Sequence, residues 1–295
     1  MTYSTIRYAV ADKIATITLN RPEKLNAFNL AMMKDIVEAF DQVDADDEVG
    51  AVIVTGEGRA FCAGADLSAG GSTFDSKRRP DAPFHADGTP DYGKESARDS
   101  GGKMTLRIFQ SLKPVIAAIN GPAVGIGATM TLPMDIRLAS DTARIGFVFA
   151  RRGIVPEAAS AFFLPRIVGI SQALEWCYSG RVFAAEEAQR GGLVRSIHAP
   201  GDLISAARAI AREIIDNSAP VSIALIRQMM WRGLGQSHPM EAHRADSRAI
   251  LSRGRSPDAA EGVSSFLAKR AAHFPNRVSS DMPDFFPWWE EPKYK

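Results

Sequence analysis

Two uninterrupted apolar runs, each closed by a turn of glycine and other small residues, constrain this chain more than anything else in it. Ala51-Val52-Ile53-Val54-Thr55 stops at Gly56 and Gly58, and Val115-Ile116-Ala117-Ala118-Ile119 runs into Asn120-Gly121. A short apolar run without alternation predicts a strand buried on both faces, with a layer above it and a layer below. A third run, Ile14-Ala15-Thr16-Ile17-Thr18-Leu19, does alternate, with Ala15, Ile17 and Leu19 on one face. Residues 136–139 and 143–146 read as two more short strands. Asn29 suits a helix N-cap, because Met33, Ile36, Val37, Phe40 and Val43 follow it at helical spacing. Strands mixed with helices in this order predict a layered α/β core.

At 295 residues and 45% hydrophobic, the chain can bury a large core. Residues 1–200 carry the strands. Within them, residues 68–102 are rich in Gly, Pro, Asp and Ser, which predicts a long, mobile surface loop. Its place directly after a small-residue turn makes it a candidate lid, with an insertion of no function as the alternative. From residue 201 the pattern becomes helical. Asp202 is placed to cap a helix carrying Leu203, Ile204, Ala207, Ile210, Ile214 and Ile215, and further helices are expected at 219–232, 238–252 and 257–272. Residues 201–275 thus read as a second, all-helical unit. The tail, 276–295, holds Phe285, Phe286, Trp288 and Trp289, which are expected to pack on their own core or on a neighbouring subunit.

Composition excludes several function classes. The net charge of +1 gives no field for nucleic acid or for an acidic membrane surface. No run approaches a membrane span and the N-terminus has no signal-peptide core, so a cytoplasmic protein is expected. Cys62 and Cys177 are too few for a disulfide framework and read as reduced thiols. His238 and His243 lack metal-ligand spacing, so no metal is expected. Neither a nucleophile elbow nor a nucleotide-binding glycine fingerprint occurs in its proper context.

The remaining candidates for chemistry converge. Phe61-Cys62-Ala63-Gly64-Ala65-Asp66-Leu67 and Asn120-Gly121-Pro122-Ala123-Val124-Gly125-Ile126-Gly127-Ala128-Thr129 both offer small residues where a backbone N–H can face a ligand. Two such donors make a site for a developing oxyanion, with Ile126 at a helix start and Ala63 or a close neighbour as the candidates. Such chemistry also needs a base. Glu157 is the candidate, between Pro156 and Ala158-Ala159-Ser160. Proline and an acidic residue also make an ordinary helix start, so a capping role stands beside the acid/base role. Burial would raise the pKa of Glu157 and a helix N-terminus would lower it. Asp66 and Asp135 read as turn residues. By residue type alone, Arg21, Lys24, Lys269 and Arg270 are solvated charges.

These motifs, in order along almost the whole chain, resemble the crotonase (enoyl-CoA hydratase/isomerase) superfamily. The resemblance is carried by Leu19-Asn20-Arg21-Pro22 with Asn26-Ala27, by the two turns, and by Ser179-Gly180-Arg181 and Ala188-Gln189-Arg190-Gly191-Gly192-Leu193-Val194. It closes with Glu261-Gly262-Val263-Ser264-Ser265-Phe266-Leu267-Ala268-Lys269-Arg270. It implies a spiral core of ββα units, a C-terminal helical trimerisation region, and homotrimers or homohexamers. It implies an acyl-CoA thioester as substrate and no separate cofactor, coenzyme A being part of the substrate. By motif, the Ala63 and Ile126 N–H groups would hold the thioester carbonyl. The CoA nucleotide would lie near Arg21, Lys24, Ala65 and Leu67, with Lys269 or Arg270 reaching in from a neighbour. Asp66, Gly125, Phe149 and Phe266 complete the expected binding surface.

The departures from the pattern bear on the reaction. Where a typical hydratase of this family has its two glutamates, this chain has Thr129 and Phe149. Glu157, in Gly153-Ile154-Val155-Pro156-Glu157-Ala158-Ala159-Ser160, instead resembles the single glutamate of the peroxisomal type of 3,2-enoyl-CoA isomerase. The resemblance therefore implies a shift of a 3-enoyl double bond to the 2 position. The alternatives are hydration of a 2-enoyl-CoA and a non-catalytic acyl-CoA-binding protein.

Overall fold

The two apolar runs lie side by side in the middle of a six-stranded sheet. A computed structural model describes residues 3–78 and 81–294. The first units are β1 (Ile6–Ala11), β2 (Ile14–Leu19), α1 (Leu30–Ala45), β3 (Ala51–Gly56) and α2 (Ser100–Gln110). Next come β4 (Val115–Ile119), β5 (Ala123–Val124), α3 (Ile126–Thr129), β6 (Ile136–Ser140) and β7 (Arg144–Gly146). They are followed by α4 (Ser160–Val168), α5 (Ile170–Ser179), β8 (Val182–Ala184), α6 (Ala185–Arg190) and β9 (Ser196–His198). Four helices complete the chain: α7 (Leu203–Asn217), α8 (Pro220–Gly233), α9 (Pro239–Arg253) and α10 (Pro257–Leu267).

The large sheet has the order β1-β2-β3-β4-β6-β9. Only the β1–β2 hairpin is antiparallel. Burial on both faces explains the unbroken apolar runs. On one face Val52, Val54, Val115 and Ala117 pack against α1 (Met32, Ile36, Phe40) and against Met104 and Ile108 of α2. On the other, Ile53, Ile116 and Leu138 meet Leu203, Ala207 and Ala211 of α7. Residue 201 therefore does not separate two cores: α7, expected as the start of an independent helical unit, is the second layer of the first. Asp202 occupies the N-cap of α7 but makes no side-chain capping bond. Asn29 does cap α1, accepting from the Met32 N–H at 2.9 Å.

A smaller sheet, β5-β7-β8, runs alongside. A bridge between Cys62 and Ala123 ties the first small-residue turn to it, and a bridge between Phe28 and Ala65 ties that turn to the segment before α1. The 68–102 segment ends earlier than expected, because α2 already begins at Ser100. Asp99 caps it, accepting from the N–H groups of Gly101 and Gly102 at 3.0 and 2.7 Å. Before it the segment winds through three short 3-10 turns and a Phe84–Pro90 bridge, and residues 79 and 80 of the expected loop lie outside the described residues.

Helix α8 is fixed to the core by a buried cation. Arg227 of α8 donates to the carbonyls of Ile108, Phe109, Ser111 and Pro133 at 2.6–3.1 Å, and to Asp135 at 2.9 Å. Asp135 is thus more than a turn residue: it also accepts from the Val115 N–H and the Trp231 indole. The tail folds back on its own chain. Arg232 stacks on the Trp289 ring at 3.4 Å and pairs with Glu291 at 2.6 Å. Removing one partner of a buried ion pair commonly costs about 3–5 kcal/mol. Arg227→Met, which removes the cation beside Asp135 and one donor from each of four carbonyls, is expected to lower unfolding stability by about that much in urea titrations.

Candidate active site

The site forms where β2, β3 and β4 end, and side-chain amides hold those ends together. Asn26 is fully buried; its amide donates to the carbonyls of Glu57 and Ala60 at 2.9 and 2.8 Å and accepts from the Arg21 N–H at 2.8 Å. Asn120 accepts from the Gly56 N–H and donates to the Gly58 carbonyl, both at 3.0 Å. The two small-residue turns then pair backbone to backbone. Cys62 N–H donates to Pro122, and Val124 N–H donates to Cys62, each at 3.0 Å. The approach is so close that a Cβ on Gly127 would fall on the Cys62 carbonyl, far inside the 3.0 Å that real Cβ atoms respect. Gly125, at φ +56, turns the chain into α3. The glycine spacing therefore follows from close packing and one left-handed turn.

The donors are not quite those expected. Ala63 N–H is committed to the Leu25 carbonyl at 3.0 Å, so it cannot serve a ligand. Its near neighbour can. Ala65 is flanked by bonds to Phe28, from Phe28 N–H to the Gly64 carbonyl and from Asp66 N–H to the Phe28 carbonyl, both 2.8 Å. Extended backbone alternates its bonding edge, so Ala65 N–H faces away from Phe28. Neither Ala65 N–H nor Ile126 N–H donates to any group among the described residues. Both residues line one cavity of about 750 Å³.

Gly125, Asp66, Leu67, Phe149 and Glu157 line the same cavity. So do Phe74, Phe84, Tyr92 and Arg98 of the 68–99 segment, which is therefore a wall of the site. Other expected residues lie elsewhere. Arg21 is not a free cation: its guanidinium pairs with Asp66 at 2.8 Å and donates to the Ala27 carbonyl. Hydrogen bonds from Arg21 and Ser68 hold the Asp66 carboxyl down to about 2. Lys24 is exposed and off the cavity wall. Phe266, 81% exposed at the end of α10, and Lys269 just beyond it do not line the cavity within one chain. Arg270 is paired with Glu261 at 2.6 Å.

Glu157 is not a helix cap. It precedes Ala158 and Ala159, both left-handed at φ +59 and +53, and α4 begins only at Ser160. Its Oε1 accepts from Thr129 Oγ1 at 2.6 Å. Burial pushes the Glu157 carboxyl up to about 8, with the Asp99 charge adding and the Thr129 bond opposing. Three carboxylates thus line the cavity, and they differ in their partners. Asp66 is held by Arg21, Asp99 accepts three backbone N–H bonds, and Glu157 accepts one hydroxyl, leaving Oε2 without a hydrogen bond among the described residues. Burial also pushes the adjacent Cys62 thiol up to about 12, which makes it a poor nucleophile near neutral pH. Among the described residues, no three His, Cys, Asp or Glu side chains converge as a metal site, and no helix is long and apolar enough to cross a membrane.

Known proteins share this architecture. The model of the enoyl-CoA hydratase/isomerase family matches residues 10–277. An enoyl-CoA hydratase of Alternaria alternata is 41% identical over 265 residues, covering 90% of this chain and 83% of its own. The 1,2-epoxyphenylacetyl-CoA isomerase of Escherichia coli is 34% identical, over 88% of this chain and 94% of its own. The crystal structure of a probable enoyl-CoA hydratase/isomerase from Mycobacterium abscessus superposes with a TM-score of 0.81 at 31% identity, covering 92% of this chain and 99% of that one. With its family motifs at the strand ends and its crotonase fold, the chain belongs to the enoyl-CoA hydratase/isomerase family of enzymes.

Proposed function

We propose that the protein is an enoyl-CoA isomerase that moves one proton with Glu157. The reading is carried by the single under-bonded carboxyl on the cavity wall, poised near neutrality beside two free N–H groups. The substrate is an acyl-CoA thioester with a 3,4 double bond. Its carbonyl oxygen accepts from Ala65 and Ile126 N–H. Ionised Glu157 removes a proton from the carbon between the carbonyl and the double bond, and the enolate charge falls on the donors. Glu157, now neutral, returns the proton two carbons along, which leaves the double bond at the 2,3 position. One carboxyl suffices, since it ends the cycle as it began. A pKa near 8 suits both halves, because neither the acid nor the base form is strongly disfavoured. Phe266 and Lys269 would meet the CoA moiety from a neighbouring subunit in a homotrimer or homohexamer.

Hydration is the second reading, favoured by the Thr129–Glu157 pair and by the hydratase name of the Alternaria relative. There Glu157 would activate water that the Thr129 hydroxyl helps to orient.

Glu157→Gln is expected to lower kcat for 3-enoyl-CoA isomerisation by about 10²–10⁴-fold, read by absorbance of the conjugated product. Survival of full activity would remove Glu157 from the chemistry. For the wild type, kcat/KM is expected to fall tenfold per pH unit below about 8, because the base form must be present in the free enzyme. Thr129→Val, lacking the bond that favours the carboxylate, should move that limb to higher pH. Stability carries the same signature. In the unfolded chain Glu157 ionises near the ordinary glutamate value of 4.5, so the penalty for its buried charge develops between there and about 8. The melting temperature of Glu157→Gln is therefore expected to match the wild type near pH 4.5 and to exceed it increasingly up to about pH 8.

A further inference from the structure

We infer that the first half of α2 is a clamp that positions Glu157, with Asp99, Gly101 and Thr105 as its positioning residues. Ala158, next to Glu157, is held by α2 at both ends of its own backbone. Its N–H donates to Asp99 Oδ2 at 2.7 Å, and its carbonyl accepts from Thr105 Oγ1 at 3.0 Å. Thr105 and Ala158 are fully buried. Such two-sided bonding answers a specific strain. Ala158 and Ala159 are both left-handed, a conformation that is unfavourable for a residue with a Cβ and persists only where the surroundings dictate it. Ser160 adds the third tie, its N–H and hydroxyl donating to the Glu157 carbonyl at 3.0 and 2.6 Å.

Gly101 supplies the room. It sits four residues before Thr105, on the same face of α2. A Cβ built on it would fall against Glu157 Oε2, the Ile126 side chain and the Ala158 methyl. The Oε2 encounter is well inside the 3.0 Å limit, so a side chain at 101 must push the carboxylate aside. Backbone angles do not require this glycine, since it lies inside a helix outside the left-handed region. Glycine there weakens the helix relative to alanine. Its presence is explained by the carboxylate it makes way for.

The clamp also links two parts of the site. Asp99 closes the 68–99 wall and caps α2 with the same carboxylate that holds Ala158. The arrangement of that wall is thereby tied to the placement of Glu157.

This inference rests on Glu157 being the acid/base, so the test separates the two. Wild type, Glu157→Gln, Gly101→Ala, Thr105→Val and Thr105→Ser would be assayed on a panel of 3-enoyl-CoA esters of four to twelve acyl carbons. Melting temperature and the Kd for hexanoyl-CoA would be read alongside. Gly101→Ala is expected to keep or raise the melting temperature, leave KM and Kd within about threefold, and lower kcat about 10²-fold, the usual result of misplacing a reacting group by about 1 Å. Thr105→Val should lower kcat at least tenfold, and Thr105→Ser, which restores the hydroxyl, should recover most of it. If Glu157→Gln is dead while Gly101→Ala and Thr105→Val keep kcat within twofold, the clamp is wrong and the acid/base reading stands. Equal losses in Thr105→Ser and Thr105→Val would also overturn it, by assigning the effect to packing. Full activity in Glu157→Gln, or no turnover of any ester by the wild type, would remove the reading and the clamp together. Should Gly101→Ala fail to fold, the Thr105 pair decides alone.

Discussion

Everything at the site depends on two turns packing main chain against main chain. The bonds between Cys62 and Ala123's neighbours leave no space for a side chain at Gly127. That contact brings the Ala65 and Ile126 N–H groups to one cavity. It also explains why the strands behind them are so apolar. A preorganised donor pair needs a rigid support, and a sheet buried on both faces supplies one. In the proposed reaction the donors would need no rearrangement when charge develops, because both residues already line the cavity.

Helix α2 is the second support. Arg227, itself held by Asp135, grips its C-terminal end by donating to the carbonyls of Ile108, Phe109 and Ser111. Its N-terminal end meets Asp99 and, through Ala158, the Glu157 loop. A carboxyl with a pKa near 8 is costly to ionise in place, and the structure counters that with one hydroxyl from Thr129 instead of a cation. That choice keeps the group titratable in the range where the proposed reaction has it give and take a proton. A partner such as Arg21, which holds Asp66 down to about 2, would have fixed Glu157 as a permanent anion.

Much of this was legible in the residues. Unbroken apolar runs announced the central strands, Asn29 announced α1, and the glycine spacing announced the paired turns. What failed was of a different kind. Ala63 and Ala65 are both alanines in one turn, and only the alternation of backbone bonds distinguishes which N–H is free. Pro156-Glu157 looks like a helix start, yet two left-handed alanines intervene, a conformation composition does not advertise. Arg21 reads as a solvated charge until a distant Asp66 is placed beside it. The signal for Asp99 was present, an acidic residue capping a run with Met104 and Ile108 at helical spacing, but Gly101 and Gly102 made the segment look like loop. Phe266 and Lys269 illustrate the other limit: motif position says they belong to a site, and one chain by itself keeps them away from it.

In the proposed reaction one partly buried carboxyl, Glu157, carries the same proton from one carbon to another. The most direct measurement uses a 3-enoyl-CoA deuterated at the carbon next to the carbonyl, converted in ordinary water, with the product analysed by mass spectrometry and NMR. Deuterium recovered on the fourth acyl carbon, well above the level expected from solvent, is the result this account requires. Complete loss of label to water, or a product carrying a hydroxyl on the third carbon, would contradict it.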